Sequence, residues 1–73
     1  MASTSLTRAI GDRIRAARED MGWTQKDLAA KLGVSLAMVG RYERGINLPP
    51  ADDIAKLSRT IRMSVGKLYG EGG

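Results

Sequence analysis

The side chains in this sequence that could bind a partner or take part in a reaction are mainly the charged ones. Twelve Lys and Arg stand against eight Asp and Glu among 73 residues, so the net charge is +4 at pH 7 and the pI is near 10.0. This balance favours an anionic partner. Because cysteine and histidine are absent, the sequence excludes a disulfide framework, a zinc finger, a thiol nucleophile and a histidine-based triad. An enzyme is not expected, and neither is a metal or a cofactor.

Helices must position these charged residues, because the apolar spacing is helical throughout the middle of the chain. It predicts one all-α domain over residues 6–69 with five short helices, flanked by flexible tails at residues 1–5 and 70–73. No apolar run is long enough to span a membrane, so a soluble, cytoplasmic protein is expected. The stripe of the first helix is formed by Leu6, Ile10, Ile14, Ala17 and Met21.

Local signals mark where the later helices begin and end. Gly22 is expected to end the first helix, and Thr24 to cap the second, with Asp27 completing a near-capping-box pattern. Pro50 suits the first turn of the fourth helix, and Ser64 can cap the fifth. The predicted buried faces of the second, third and fourth helices comprise Leu28, Ala29, Leu32, Val39, Tyr42, Ile54, Leu57 and Ile61.

Residues 25–45 predict a helix-turn-helix, in which two short helices are joined by a tight turn. Ala29 is small enough for the two helices to cross closely, and Gly33 tolerates the positive φ of the first turn residue. Three apolar side chains hold the second helix of the motif against the first. These are Val34, Val39 and Tyr42.

This pattern resembles the phage repressor and Cro-like helix-turn-helix family, also called the XRE family, to which lambda-type repressors belong. The resemblance runs from about Ile10 to Leu68, nearly the whole chain. It implies a compact five-helix fold whose Ser35–Arg44 helix lies in the major groove of DNA. The matching residues are Gln25, Leu28-Ala29, Leu32-Gly33-Val34-Ser35, Val39 and Tyr42-Glu43-Arg44-Gly45, followed by Pro50, Ile54, Leu57, Ile61, Ser64-Val65 and Leu68.

The resemblance implies that Leu36, Ala37 and Arg41 contact bases. Helical spacing places them, with Gly40 and Arg44, on the face opposite the apolar one. Arg41 is the best candidate, because a guanidinium can bond guanine O6 and N7 together. Leu36 and Ala37 could contact thymine methyl groups. A half-buried helix residue without a readout role is almost as good an interpretation of Leu36.

Further residues are implied to contact the DNA backbone, which positions a protein without reading sequence. Gln25 matches the family residue that bonds a phosphate at the start of the second helix of the domain. Ser35 either hydrogen-bonds a phosphate or only caps its helix. Lys26 either contacts a phosphate or is a solvated surface lysine. The glycine at 40 suits a close approach to DNA or to a neighbouring helix. The full set is Gln25, Lys26, Ser35, Gly40, Arg44, Gly45 and Asn47.

Two charged residues are expected to be structural. The resemblance implies a partly buried ion pair between Arg18 and Glu43, which ties the first helix to the end of the third. Without that pair, Glu43 would repel nearby phosphates. Trp23 is expected to lie in the core between the first two helices. With one Trp and two Tyr in the chain, a stacking platform for single strands is not expected.

The leading hypothesis is a sequence-specific transcription regulator, either a repressor or a controller, that binds double-stranded DNA. A homodimer on an inverted-repeat operator is expected, because one recognition helix covers only a half-site. Compact phage repressors, restriction–modification controllers and antitoxins all fit, and the source is expected to be a bacterium or its phage, with the protein at the nucleoid. The candidate dimer contacts are Met63, Val65, Leu68 and Tyr69, which otherwise close the monomer core.

The alternative is a protein-interaction module, such as an antitoxin or an adaptor, that keeps the fold without specific DNA readout. The apolar start of the recognition helix, Leu36-Ala37-Met38, motivates it. RNA binding is less well supported, because neither an aromatic sheet motif nor a GXXG loop is present.

Overall fold

The computed structural model describes residues 2–70, and the side chains from Leu6 onward. This part of the chain contains five α-helices and no strand, so the predicted all-α class is confirmed. The helices are α1 (Ala2–Asp20), α2 (Gln25–Leu32), α3 (Leu36–Glu43), α4 (Ala51–Thr60) and α5 (Val65–Leu68).

The first helix is longer than its apolar stripe predicted. Its backbone is helical from Ala2, where a tail was expected over residues 1–5, because none of these small residues is a helix breaker. Leu6, expected on the buried stripe, is 36% exposed. The reason is that α1 has 19 residues whereas its partner helices have ten or fewer. Met1 and residues 71–73 of the predicted tails lie outside the described residues.

The core lies where the five helices converge, and the predicted buried faces of α2, α3 and α4 all point into it. Ala17, Trp23, Val34, Met38 and Met63 pack against it from the edge. The buried side chains are Ile10, Ile14, Leu28, Ala29, Leu32, Val39, Tyr42, Ile54, Leu57, Ile61 and Leu68.

Side chains cap three of the helices, as their sequence signals predicted. Thr24 Oγ1 accepts a hydrogen bond from the main-chain N–H of Asp27 at 3.0 Å, and Asp27 Oδ2 accepts one from the N–H of Thr24 at 2.9 Å. The bond from the Thr24 N–H, followed by a side-chain hydrogen bond with Thr24, lowers the pKa of the Asp27 carboxyl. Ser35 and Ser64 cap α3 and α5 through bonds of 3.1 Å each. Pro50 precedes α4 as its N-cap, one residue before the predicted first turn.

The helices α1 and α3 approach each other closely at Gly11, which was not predicted as a structural position. A Cβ on this residue would collide with the carbonyl oxygen of Tyr42 and lie 2.9 Å from that of Glu43. Both are main-chain atoms, so neither can rotate away. Glycine therefore sets how closely the end of α3 lies on α1, and the glycine inside a helical pattern is the signal that could have indicated it.

A buried tyrosine joins α3 to the start of α4. Tyr42 is 4% exposed, and its Oη donates a hydrogen bond to Asp53 Oδ2 at 2.6 Å. Burial, followed by this hydrogen bond, raises the pKa of Tyr42 to about 12. The phenol therefore stays protonated and keeps its donor role into the alkaline range.

Candidate nucleic-acid interface

The turn between α2 and α3 has the geometry that a helix-turn-helix requires. Gly33 has φ +73°, and its main-chain N–H donates to the carbonyl oxygen of Ala29 at 2.9 Å. The N–H of Val34 donates to the same oxygen at 3.1 Å. Ser35 follows as the N-cap of α3, so two residues, Gly33 and Val34, separate the last residue of α2 from that cap.

One face of α3 is buried and the other is open. Val39 and Tyr42 fix the helix on the core, with exposures of 0% and 4%. Leu36, Ala37 and Arg41, the three residues proposed from the sequence to contact bases, are all exposed. The helix can therefore be placed against a partner without unfolding any of the core beneath it.

The prediction for Gly40 on this face is wrong. It was expected to face outward, but it is buried, because the Arg44 side chain folds back over it. A Cβ on Gly40 would lie 3.1 Å from Arg44 Nη1. A DNA contact at Gly40 therefore requires the guanidinium of Arg44 to move first.

The structure contains the expected ion pair between Arg18 of α1 and Glu43 of α3. It is bidentate, with Nε to Oε2 at 2.6 Å and Nη2 to Oε1 at 3.1 Å. Arg18 also donates to the main-chain oxygen of Trp23 at 2.8 Å. The hydrogen bond with Glu43 is the main cause of the raised pKa of Arg18. The carboxylate is thus neutralised beside the open face of α3.

Gln25 joins this pair from the first turn of α2. Its Nε2 donates to Glu43 Oε1 at 3.0 Å, a contact that was not predicted. A carboxamide carries two N–H donors, so this bond leaves one for another acceptor. Gln25 is half-buried and the neighbouring Lys26 is exposed. The N-terminus of α2 is therefore tied to the C-terminal end of α3.

The loop after α3 holds two residues, Gly45 and Asn47, that were expected to contact the DNA backbone. Its main-chain N–H groups already donate to carbonyl oxygens of α3. Those of Ile46 and Asn47 both donate to the carbonyl oxygen of Arg41, at 2.9 and 3.4 Å. Gly45 has φ +74°, and a Cβ there would lie 2.8 Å from the Cα of Arg8. This glycine packs the loop on α1, and the DNA-backbone contact expected at Gly45 stays a prediction beside those of the Arg44 and Asn47 side chains.

Trp23 lies between the first two helices as expected, although it is half-buried rather than fully enclosed. The Nζ of Lys31 lies 4.6 Å from the centroid of its ring, which is within the range of a cation–π interaction.

The candidate dimer contacts divide into two groups. Leu68 is fully buried in the hydrophobic core, so its side chain closes the monomer core and is not available to a second copy. Val65 and Tyr69 are 42% and 41% exposed. Met63 is half-buried at a groove of about 500 Å³ that it shares with Arg13, Arg62, Ser64 and Lys67.

Two classes of site are not found among the described residues. Within residues 2–70, no helix is both long and apolar enough to cross a membrane. Over the same part of the chain, the carboxylates form no group of three or more that could hold a metal ion.

Comparison with known proteins agrees with this geometry. A helix-turn-helix family model matches residues 14–68, more than half of the chain. The HTH-type transcriptional regulator ImmR of Bacillus subtilis is 35% identical over 63 residues, which are 86% of this chain and 50% of that protein. YazB of the same organism, an uncharacterised HTH-type transcriptional regulator, is 40% identical over 58 residues, covering 80% of this chain and 84% of YazB.

A phage protein is also similar. The cryptic phage CTXphi transcriptional repressor RstR of Vibrio cholerae is 30% identical over 61 residues, covering 84% of this chain and 54% of RstR. The chain thus spans about half the length of ImmR and RstR. It belongs to the XRE-type helix-turn-helix family, in which these three relatives are named as transcriptional regulators or, for RstR, as a transcriptional repressor.

Proposed function

We propose that the protein is a sequence-specific transcription regulator that inserts α3 into the major groove of double-stranded DNA. The observation that carries the proposal is the open face of α3. Leu36, Ala37 and Arg41 are exposed there, on a helix fixed from below by the core. A rigid helix with an exposed guanidinium is suited to bidentate contact with guanine.

Each side chain of the interface has its own role in this proposal. Arg41 bonds guanine O6 and N7, and the apolar side chains of Leu36 and Ala37 contact thymine methyl groups. The remaining contacts are made with phosphates and fix the register of the protein on the duplex. They come from Gln25, Lys26, Ser35, Arg44 and Asn47.

The proposal includes a homodimer on an inverted repeat. Half-sites lie about 34–36 Å apart, one helical turn of DNA, whereas the longest extent of this molecule is 29 Å. One copy cannot reach both half-sites. Two-fold symmetry places the same patch of each copy against itself, so the cations around Met63 would repel their counterparts. Val65 and Tyr69 are the better contacts.

A repressor or controller role is part of the proposal, and the printed name of RstR as a repressor supports it. Such a protein acts where the DNA is, in the cytoplasm of a bacterium, on a chromosomal or phage operator. Phage repressor, restriction–modification controller and antitoxin remain the three roles compatible with this site.

Selection from a random pool of DNA duplexes tests the proposal, followed by anisotropy titrations of the selected duplex at several salt concentrations. We expect an enriched inverted repeat whose tight binding is lost in Arg41→Ala. Each wrong base contact of this type costs about 1–3 kcal/mol, roughly 5- to 150-fold in affinity. No enrichment, with only weak binding that depends on salt, would contradict specific readout.

A protein-interaction module remains the second candidate, because apolar side chains are exposed next to the open face of α3. Leu36 is 51% exposed, Ile46 59% and Leu48 46%. A protein partner captured through these residues, which duplex DNA does not displace, would favour this function. Strong dependence of DNA binding on salt would favour the first, since phosphate contacts release counterions.

A further inference from the structure

A groove of about 460 Å³ runs between α1 and the end of α3, outside the residues assigned to DNA above, except Arg44. Successive turns of α1 line this groove with the side chains of Arg8, Asp12 and Arg15. These positions are spaced by four and three residues, so they lie on one face of the helix. Arg44 lines the opposite side.

This face of α1 is continuous with the recognition helix. Gly45, the residue after the C-cap of α3, packs so closely on α1 that a Cβ there would lie 2.8 Å from the Cα of Arg8. A strand of DNA backbone that reaches the side chain of Arg44 therefore arrives next to the first cation of α1.

Two arginines that line the groove are not paired with any carboxylate that the structure describes, so they can bind an anion. Glu43 also lines it, but that carboxylate is 5% exposed and already bonded by Arg18. Among the side chains that the structure describes, Arg8 and Arg44 have no carboxylate at ion-pair distance.

The third arginine of the groove, Arg15, is weakly paired with a carboxylate. Its Nε lies 3.4 Å from Glu19 Oε2, and the two side chains are 62% and 57% exposed. A pair as exposed as this one contributes little to stability, so a phosphate can replace the carboxylate. The carboxylate of Asp12 also lines the groove and would repel a phosphate. Its removal therefore provides a test of the site.

We propose that this groove holds the phosphate backbone of DNA beside the segment contacted by α3, with Arg8 and Arg15 as positioning residues. The inference rests on the proposed function, and it extends the interface from the helix-turn-helix onto α1. These arginines contact phosphates only, so they add affinity without adding base preference.

The test compares two variants that remove the same charge. Arg8→Gln/Arg15→Gln removes the two cations that α1 contributes to the groove, and Lys56→Gln/Arg59→Gln removes two exposed cations of α4 that do not line it. Binding to the selected duplex and to a scrambled one is measured between about 50 and 200 mM salt, after thermal melting shows that each variant folds.

The groove variant should weaken binding to both duplexes by the same factor. The slope of log affinity against log salt should fall by about 0.9 for each phosphate that the variant no longer neutralises, with little change in the control. Equal slopes in the two variants would overturn the inference and leave the proposed function standing. If the wild-type protein binds no duplex, the proposed function itself fails.

Asp12→Asn tests the same groove in the opposite direction. Removing the carboxylate that opposes a phosphate should tighten binding several-fold to both duplexes, with an unchanged preference between them. Unchanged or weaker binding by the folded variant would overturn the inference.

Discussion

Glu43 places a carboxylate beside a surface that we propose to bind phosphates, and its surroundings explain why that is tolerated. Its two oxygens accept hydrogen bonds from two nitrogens of Arg18 and from Nε2 of Gln25. Because the residue is 5% exposed, its charge is matched inside the protein and does not face the partner. The same three side chains join α1, α2 and α3, so they hold the recognition helix in place.

Glu43→Ala is expected to lower the free energy of unfolding by about 3–5 kcal/mol, because it leaves the buried guanidinium of Arg18 without its carboxylate. Urea denaturation measures the change. Glu19→Ala is the matched control, since that carboxylate also approaches Arg18, at 3.8 Å, but is 57% exposed; its cost should stay below about 1 kcal/mol. A Glu43→Ala variant with wild-type stability and altered DNA binding would contradict the structural role.

Tyr42 makes stability depend on pH in the alkaline range. Its pKa is raised to about 12 in the folded protein, above the value of about 10 for an unfolded chain. The native state therefore favours the protonated phenol. Its contribution is fully present below pH 10 and is lost as the pH rises toward 12. Unfolding free energies across this range should fall more steeply in the wild type than in Tyr42→Phe, and parallel curves would refute the assignment.

At the scale of the elements, the caps and turns follow local chemistry. Thr24, Ser35 and Gly33 were predictable because each acts on main-chain groups within four residues of itself. Gly11 was not, because its requirement comes from carbonyl oxygens of α3 that are more than thirty residues away along the chain. The burial of Gly40 and Leu68 depends likewise on which side chains fold over them. The helix-turn-helix could therefore be placed from sequence, whereas the depth of its packing on α1 could not.

Two glycine substitutions test this packing, and opposite signs are expected. Gly11→Ala should destabilise the domain by about 1–3 kcal/mol, because main-chain atoms leave no room for a methyl group. Gly40→Ala should stabilise it by up to about 1 kcal/mol through helix propensity, because the obstructing atoms belong to the flexible end of Arg44. Thermal or urea unfolding measures both, and a Gly11→Ala variant as stable as the wild type would show that the crossing is not constrained there.

At the scale of the whole molecule, the proposed function requires one small domain to recognise an operator longer than itself. Its longest dimension of 29 Å suits one half-site, and its exposed apolar side chains on and after α5 are the proposed means of pairing two copies. In the proposed dimer, the cations at the groove around Met63 would oppose self-association there, so charge as well as apolar surface would select where two copies meet.

Tyr69→Glu should weaken the dimer without unfolding the monomer, since the side chain is 41% exposed and a two-fold axis would bring two carboxylates together. On the inverted repeat, two copies of the variant should bind independently where two copies of the wild type bind cooperatively, with unchanged affinity for an isolated half-site; sedimentation across a range of protein concentrations measures this. Leu6→Glu, at 36% exposure on α1, is the control and should leave pairing intact. Cooperative binding of Tyr69→Glu equal to that of the wild type would place the dimer contact elsewhere.

The contact between α3 and the major groove is tested most directly by methylation interference at guanine N7 on the selected operator. Methylation of one guanine in each half-site should block binding of the wild-type protein, because Arg41 is proposed to bond N7 and O6 of that base. Arg41→Ala should bind the operator more weakly and lose the interference at that guanine alone. The same interference pattern in both proteins, or none in the wild type, would contradict major-groove readout by Arg41.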